Sequence, residues 1–321
     1  MKPGGAKQQG RATREREKPG GSESNRQAEQ SYSPSPWPDR IRHLRLRFVY
    51  VLSPLFLWGV LLAGAGISTR AVIGFVMFHL FLYGGANAYN TFYDRDVGPI
   101  GGLKNPPLPD PGLGLFSVLW QGIGALGALW IGWEFLAVYL VLWGLFTAYS
   151  RKPWPRWKAS VARSLVVVGL GQGGLAVMAG AFCVGIPARA MLSSGFIAGA
   201  VGALLITVGL YPISQLYQIH EDQERHGETS LAARLGLRGT ANYTAICWLL
   251  AAPLLAWPLW EMQMRALAVG VALYVFASAL GFRLWLRRRS GLPSYDEVMR
   301  MQYFAATFFL VCIVARLLWP K

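Results

Sequence analysis

Residues 191–212 read MLSSGFIAGAVGALLITVGLYP and contain no charged side chain. A helix needs about 20 mainly apolar residues to cross the hydrocarbon core of a bilayer. Lipid offers no partner to exposed backbone groups, so a crossing segment is either a helix or a strand of a closed barrel. The alternation of apolar and polar residues that marks barrel strands is missing here. The stretch therefore predicts a transmembrane helix.

The same pattern recurs along the chain. Only 15% of the 321 residues are charged, against about 25% in soluble domains. We predict an all-α, polytopic membrane protein with about nine transmembrane helices. The predicted spans are 47–67, 71–92, 114–133, 134–150, 161–184, 191–212, 241–259, 265–284 and 300–319. The boundary between the third and fourth spans is expected near Glu134.

Residues 1–45 differ in composition from the rest. They are rich in Gly, Pro, Ser and Gln and have no apolar periodicity, so they bury too little surface to offset the entropy of ordering. We predict a disordered basic cytoplasmic tail at 1–45 and a transmembrane domain at 46–321.

The basic residues set the predicted orientation. Arg and Lys concentrate in the loops 93–113, 151–160, 213–240 and 285–299, and are sparse in the loops on the other side. Cytoplasmic loops carry the excess of Lys and Arg. We expect a multi-pass protein of a bacterial-type plasma membrane, with a cytoplasmic N-terminus and the C-terminus opposite. This placement explains the net charge of +15 without nucleic acid as a partner.

Carboxylates concentrate in two loops on the predicted cytoplasmic side, 93–113 and 213–240. At the end of the second span, Asn87, Asn90 and Asp94 share one helical stripe. At the end of the sixth span a longer stripe is predicted: Tyr211, Gln215, Gln218, Asp222 and Arg225.

Two such stripes at equivalent helix ends are expected to face one cavity. Their oxygen atoms suit Mg²⁺, which takes one or two carboxylates together with waters and substrate phosphates. The alternative is that the acids are ordinary solvated loop residues.

A third feature, AYSRKPWPRWK at 148–158, follows the fourth span. Alone, its cations and tryptophans indicate an interfacial anchor. Beside two acidic loops, the cations are also suited to a diphosphate, because Arg geometry fits phosphate and Lys acts as a point charge.

At these three places the sequence resembles the UbiA superfamily of intramembrane prenyltransferases. The matching stretches are NTFYDRD at 90–96, YSRKPWPRWK at 149–158 and YQIHEDQERHG at 217–227. The family pattern is approximately NDxxDxxxD after the second helix, YSxxPxRxK after the fourth and DxxxD after the sixth. The sequence departs from it at Thr91, Gly98 and Gln218, where the family usually has Asp, so it is identified as a divergent member with incomplete Asp-rich motifs.

The resemblance implies a helical bundle around a central cavity and a prenyltransferase that uses a polyprenyl diphosphate, Mg²⁺ and a lipophilic acceptor, often an aromatic ring of a quinone precursor. Ionisation of the donor would give an allylic carbocation. The implied catalytic residues are Asp94, Asp222 and Tyr149. The implied diphosphate-binding residues are Lys104, Arg156, Lys158 and Arg225. The implied metal ligands are Asn90, Asp94, Asp96, Gln218, Glu221 and Asp222.

Three other functions are compatible with a polytopic chain of this kind. A transporter would carry its binding groups near the bilayer midplane, whereas here the acids cluster at one face. A CDP-alcohol phosphotransferase would show a DGxxAR-type signature, which the sequence does not have. A non-catalytic homologue is the third alternative, because several acids of the family pattern are replaced.

Overall fold

The computed structural model describes residues 36–226 and 229–318, with Asp222, Gln223, Arg225 and His226 described by their backbone alone. Within these residues nine helices are long and apolar enough to cross a membrane, and there is no β-strand. This confirms the predicted all-α polytopic fold. The spans are Trp37–Leu62, Thr69–Asp94, Leu113–Ile131, Trp133–Ser150, Val161–Cys183, Ser194–Gln215, Leu231–Glu261, Arg265–Arg287 and Tyr295–Leu318.

The folded unit begins earlier than predicted. A short helix at Trp37–Arg42 precedes the first long helix, Leu46–Leu62, and the residues between them are buried. Arg40 forms an ion pair with Asp110 that fixes the short helix to the loop after the second span. Residues 36–45 are therefore part of the domain and not of the tail. They were missed because a segment with three arginines resembles a charged tail in composition. The rest of the predicted tail lies outside the described residues.

Two other boundaries also differ. The third and fourth spans meet at Gly132, whose φ of 153° suits glycine, and Glu134 lies in the first turn of the fourth helix. The seventh helix begins at Leu231, ten positions before the predicted apolar run. Its first turns carry arginines and are interrupted at Gly236 by a φ of 62°. Hydropathy locates the lipid-facing part of a helix and not its polar extension.

Small residues bring the first and fifth spans into backbone contact. A Cβ atom on Gly59 would lie 1.9 Å from the carbonyl oxygen of Val177, and one on Gly180 would lie 1.9 Å from that of Phe56. Any larger residue at either glycine forces the two helices apart. Close approach through small residues is a common basis of helix association in membranes.

Two spans contain π-helical segments that border the centre of the bundle. These are Met77–Tyr83 in the second span and Val167–Leu175 in the fifth. Such wide turns occur often at functional sites. Tyr83 and Gln172, which lie in them, line the central cavity described next.

Candidate active site

A cavity of about 180 Å³ lies among the first, second, fourth, fifth, sixth and ninth spans. Its polar wall comes from Arg45 in the first span, from the ends of the second, fourth and sixth spans, and from the loops that follow those ends. That wall includes Arg45, Asn87, Asn90, Asp96, Ser150, Lys158, Gln215 and Gln218. The remaining wall is largely apolar. Members of both expected polar stripes therefore line one cavity: Asn87 and Asn90 from the first, and Tyr211, Gln215 and Gln218 from the second.

Asp94 is the most enclosed acid of the site. It is the last residue of the second helix, and its side chain has no exposed surface. One carboxylate oxygen accepts from Arg156 Nη1 at 2.6 Å. The other accepts from Lys158 Nζ at 2.7 Å and from Asn90 Nδ2 at 2.9 Å. Both oxygens are therefore engaged by cations, and Asp94 holds Arg156 and Lys158 in place.

Asp96 has a different environment although it is only two residues away. Arg95 adopts a left-handed conformation with φ of 53° and ends the helix, so Asp96 leaves the stripe of Asn87, Asn90 and Asp94. Its side chain is buried and lines the cavity. Among the described residues, Asp96 is the carboxylate in the cavity wall.

Arg45 lines the same cavity and was not predicted from the sequence. Its Nη2 donates to the carbonyl oxygen of Asn87 at 3.2 Å and to Asn90 Oδ1 at 3.3 Å. It is only 8% exposed, its Nε has no hydrogen-bond partner, and within the described part of the chain it forms no ion pair. Burying a cation that no carboxylate contacts directly is unfavourable, and attraction to Asp96 in the same cavity wall offsets part of that cost. Arg45 is thus suited to an anionic ligand.

Tyr149 and Tyr211 line the cavity from the fourth and sixth spans, with hydroxyl oxygens 3.3 Å apart. The sixth helix ends at Gln215, and a turn separates it from the next helix, Ile219–His226. The polar stripe predicted after the sixth span is therefore not one continuous helix. Gln218 reaches the cavity from the turn.

Glu221 and Lys104 lie away from the cavity wall. Glu221 Oε1 accepts from the backbone nitrogens of Val97 at 2.8 Å and Gly98 at 3.1 Å, and so ties the two acidic loops together. Lys104 is paired with Asp296 at the start of the ninth span. Glu221 was predicted as a metal ligand and Lys104 as a diphosphate-binding residue, but neither side chain lines the cavity. The side chains of Asp222 and Arg225 lie outside the described residues.

The described donors are few for a metal centre. Among the described side chains, which do not include those of Asp222 and His226, no three from His, Cys, Asp or Glu come together as a metal site. Asp94 is engaged by Arg156 and Lys158, and the cavity wall itself contains the Asp96 carboxylate and the amide groups of Asn90 and Gln218. Mg²⁺ commonly binds through one or two carboxylates and substrate phosphates. This donor set fits an ion that shares the phosphates of a substrate better than an ion held by protein alone.

A second cavity, of about 80 Å³, adjoins the first and is mostly apolar. Trp248, Tyr274 and Phe309 contribute aromatic rings to it. Five residues line both cavities: Val51, Leu52, Thr207, Leu210 and Gln302. The polar end of the site therefore continues into an apolar space within the bundle.

Comparisons with known proteins agree with this architecture. A structure of a UbiA homolog from Archaeoglobus fulgidus bound to GPP and Mg²⁺ superposes with a TM-score of 0.64 at 18% identity, covering 86% of this chain and 99% of the other. The same homolog bound to Cd²⁺ gives 0.61 at 19%, with 86% and 99% covered. A structure described as digeranylgeranylglyceryl phosphate synthase gives 0.57 at 15%, with 88% and 96% covered.

At these identities the structures establish the fold alone. No curated protein shows a significant sequence match. The profile of the UbiA prenyltransferase family matches residues 52–313, which is most of the chain. The protein therefore belongs to the UbiA prenyltransferase family.

Proposed function

We propose that the protein transfers a prenyl group from a polyprenyl diphosphate to a lipophilic acceptor within the membrane. The observation that carries this proposal is the cavity itself. Arg45 and Lys158 meet Asp96 at its polar end, while apolar side chains line its interior. An amphiphile with an anionic head and an isoprenoid tail matches that distribution of charge.

The diphosphate is assigned to the cations at the polar end. Arg45 is buried without an ion-pair partner in the described chain and offers its guanidinium to the cavity. Lys158 lines the wall, and Arg156 binds the other carboxylate oxygen of the Asp94 that holds Lys158. Asp94 then acts as a positioning residue for these two cations. Arg225 stays a sequence prediction, and Lys104 is not included in the proposed site.

Mg²⁺ is proposed as the cofactor, because UbiA homolog structures contain it with GPP or DMAPP. Asp96, Asn90 and Gln218 are the described residues that would hold it, together with the substrate phosphates; Asp222 is kept as a sequence-based ligand. When bound, the ion adds positive charge that stabilises the leaving diphosphate.

The chain's own contribution is to position the donor, supply charge and exclude water. Cations fixed near the leaving group stabilise the negative charge that develops there. Tyr149 and Tyr211 offer aromatic faces next to the polar end, and such faces stabilise a nearby allylic cation. The apolar remainder of the cavity keeps water from the cation. The bond between the prenyl carbon and the diphosphate oxygen breaks, the acceptor forms the new bond to that carbon, and the acceptor releases a proton as the diphosphate leaves.

The proposed orientation places this polar end in the cytoplasm. The loops that build it are the ones rich in Arg and Lys, which the positive-inside rule assigns to the cytoplasm. An odd number of spans then puts the C-terminus on the other side.

The test uses the full chain in nanodiscs with labelled prenyl diphosphates of several lengths, magnesium, and a lipid extract as the source of acceptor. We expect label to enter a lipid-soluble product, and chelation of magnesium to abolish the transfer. Arg45→Gln and Asp96→Asn should lower the rate at least tenfold. Lys104→Gln is the matched control, since it removes a cation outside the cavity, and should leave the rate unchanged.

Two outcomes contradict the proposal. The first is no transfer of label by the unaltered protein to any extract or donor length, which favours a non-catalytic homologue. The second is an equal loss of activity in Lys104→Gln and Arg45→Gln, which would mean that the cavity does not bind the diphosphate. Movement of an ion across sealed vesicles without label transfer would indicate a transporter instead.

A further inference from the structure

The seventh and eighth spans are joined near their polar ends by a hydrogen bond on the outer surface of the bundle. Arg283 Nε donates to Asn242 Oδ1 at 3.1 Å. The two helices run in opposite directions, so the residues one turn further toward the polar ends are Arg238 on the seventh span and Arg287 on the eighth. One turn is about 5.4 Å. This register places Arg238 and Arg287 beside each other, and we call them the arginine pair.

The chain supplies no acid to the arginine pair. Both side chains are exposed and form no ion pair with any described residue. The surrounding stretches, 231–246 and 279–294, contain no Asp or Glu. The same helix ends carry two further exposed cations, Arg234 and Arg288. Like charges held side by side repel each other, so the arrangement favours an anion from outside the chain.

A neighbouring arginine shows the contrast. Arg289 donates from both Nη atoms to the carboxylate of Glu297, at 2.7 and 2.9 Å, and its guanidinium lies over the ring of Trp285. That arginine is neutralised within the protein and serves the connection between the eighth and ninth spans. The arginine pair has neither a carboxylate nor an aromatic ring recorded as its partner, and it lines neither cavity.

The surface next to the arginine pair is apolar. On the seventh span, Ile246 and Leu250 continue the helical stripe of Asn242, and on the eighth, Leu280 and Phe276 continue that of Arg283. All four apolar side chains are exposed on the bundle, as expected of residues that face lipid acyl chains. Cations therefore lie directly beyond a lipid-facing strip. A phospholipid has this same order of charge and hydrocarbon, whereas an acidic protein or a nucleic acid would match the cations alone.

We propose that the arginine pair and the apolar strip bind an anionic phospholipid. The fork of donors on a guanidinium matches the oxygens of a phosphate, and basic sites between transmembrane helices bind anionic headgroups. The lipid phosphate lies between Arg238 and Arg287, and an acyl chain follows Ile246 and Leu280. The site is on the outside of the bundle and does not depend on the proposed prenyl transfer.

The test measures lipid binding to the full chain in micelles by native mass spectrometry, with no prenyl donor present. The probes are dioleoylphosphatidylglycerol and dioleoylphosphatidylcholine, which have the same acyl chains and differ in headgroup charge. The variants are Arg238→Gln, Arg287→Gln and the two together. Arg163→Gln is the matched control, because Arg163 is an exposed arginine of the fifth span without an ion pair among the described residues.

We expect the unaltered protein to prefer phosphatidylglycerol by at least tenfold. Each single variant should reduce the preference about fivefold, the usual effect of one basic residue near a charged headgroup. The double variant should abolish the preference, and Arg163→Gln should keep it. Binding of phosphatidylcholine should be unchanged in every variant, which also shows that the variants are folded.

Four results would overturn the inference. The first is no preference in the unaltered protein, and the second is a preference that persists in the double variant. The third is an equal loss in Arg163→Gln, which would assign the effect to overall charge. The fourth is displacement of phosphatidylglycerol by an equal concentration of soluble glycerol phosphate, which would mean that the apolar strip does not take part. If prenyl transfer fails while the preference follows the arginine pair, the proposed reaction is wrong and the lipid site stands.

Discussion

Replacing Asp94 by Asn should destabilise the protein by about 3 kcal/mol, because two buried cations lose a counter-ion that both of them contact. The Asp94 side chain has no exposed surface, and those of Arg156 and Lys158 are 9% and 16% exposed. Removing one partner of a buried ion pair typically costs about 3–5 kcal/mol. The amide oxygen of Asn still accepts one hydrogen bond, so we expect the lower end of that range.

The assay is unfolding of the purified protein in mixed micelles, followed by tryptophan fluorescence. Asp296→Asn is the matched control. It breaks the ion pair between Asp296 and Lys104, whose side chains are 49% and 60% exposed, respectively. Such surface pairs contribute about 0–1 kcal/mol. A second variant, Asp94→Asn with Lys158→Met, removes one of the two cations that contact Asp94 and should recover at least about 1 kcal/mol.

Two results contradict this role of Asp94: an Asp94→Asn variant as stable as the unaltered protein, and a double variant no more stable than the single one. Either result would mean that charge neutralisation is not the role of this carboxylate. The experiment also separates two causes of lost activity. An inactive but stable Asp94→Asn would restore the metal role implied by the family resemblance.

Three further predictions concern packing, the loops and pH. Gly180→Ala should lower stability by several kcal/mol in a thermal melt, because the added carbon overlaps the backbone oxygen of Phe56. Overpacking costs about 1–3 kcal/mol even where side chains can move. Gly174→Ala is the control, because the space at its Cβ position is open. Glu221→Gln should weaken the tie between the acidic loops by about 1 kcal/mol, seen as faster proteolysis in 95–112. The hydrogen bond from Arg40 lowers the pKa of Asp110. At neutral pH the protein should therefore have a larger free energy of unfolding than the Asp110→Asn variant. That difference should disappear below roughly pH 4, because the carboxyl is then protonated.

The spans were predictable because membrane insertion acts on local sequence. The length and hydropathy of a run such as 191–212 are enough to predict a transmembrane helix. All nine predicted runs overlap observed spans. Helix ends were less accurate. The sixth helix ends at Gln215 although its polar stripe continues in sequence, and residues 37–42 form a helix although their composition resembles the tail.

The site was predictable as a neighbourhood but not as a set of contacts. Motif order placed Asn90, Lys158 and Gln218 near one another, and all three line the cavity. The partners of each charge depend on contacts distant in sequence, such as Arg156 with Asp94. A sequence does not reveal whether a carboxylate meets a metal or a guanidinium. Arg45 gave no signal because it belongs to no motif and follows several other arginines.

The backbone contact at Gly59 and Gly180 limits where a hydrophobic substrate can enter the bundle. Where two main chains touch, no acyl or isoprenoid chain can pass between them, and no rotamer change opens a gap. A hydrophobic substrate arriving from the surrounding lipid is therefore barred from the seam between the first and fifth spans. Such a substrate has to enter between another pair of helices, where only side chains separate the lipid from the interior of the bundle.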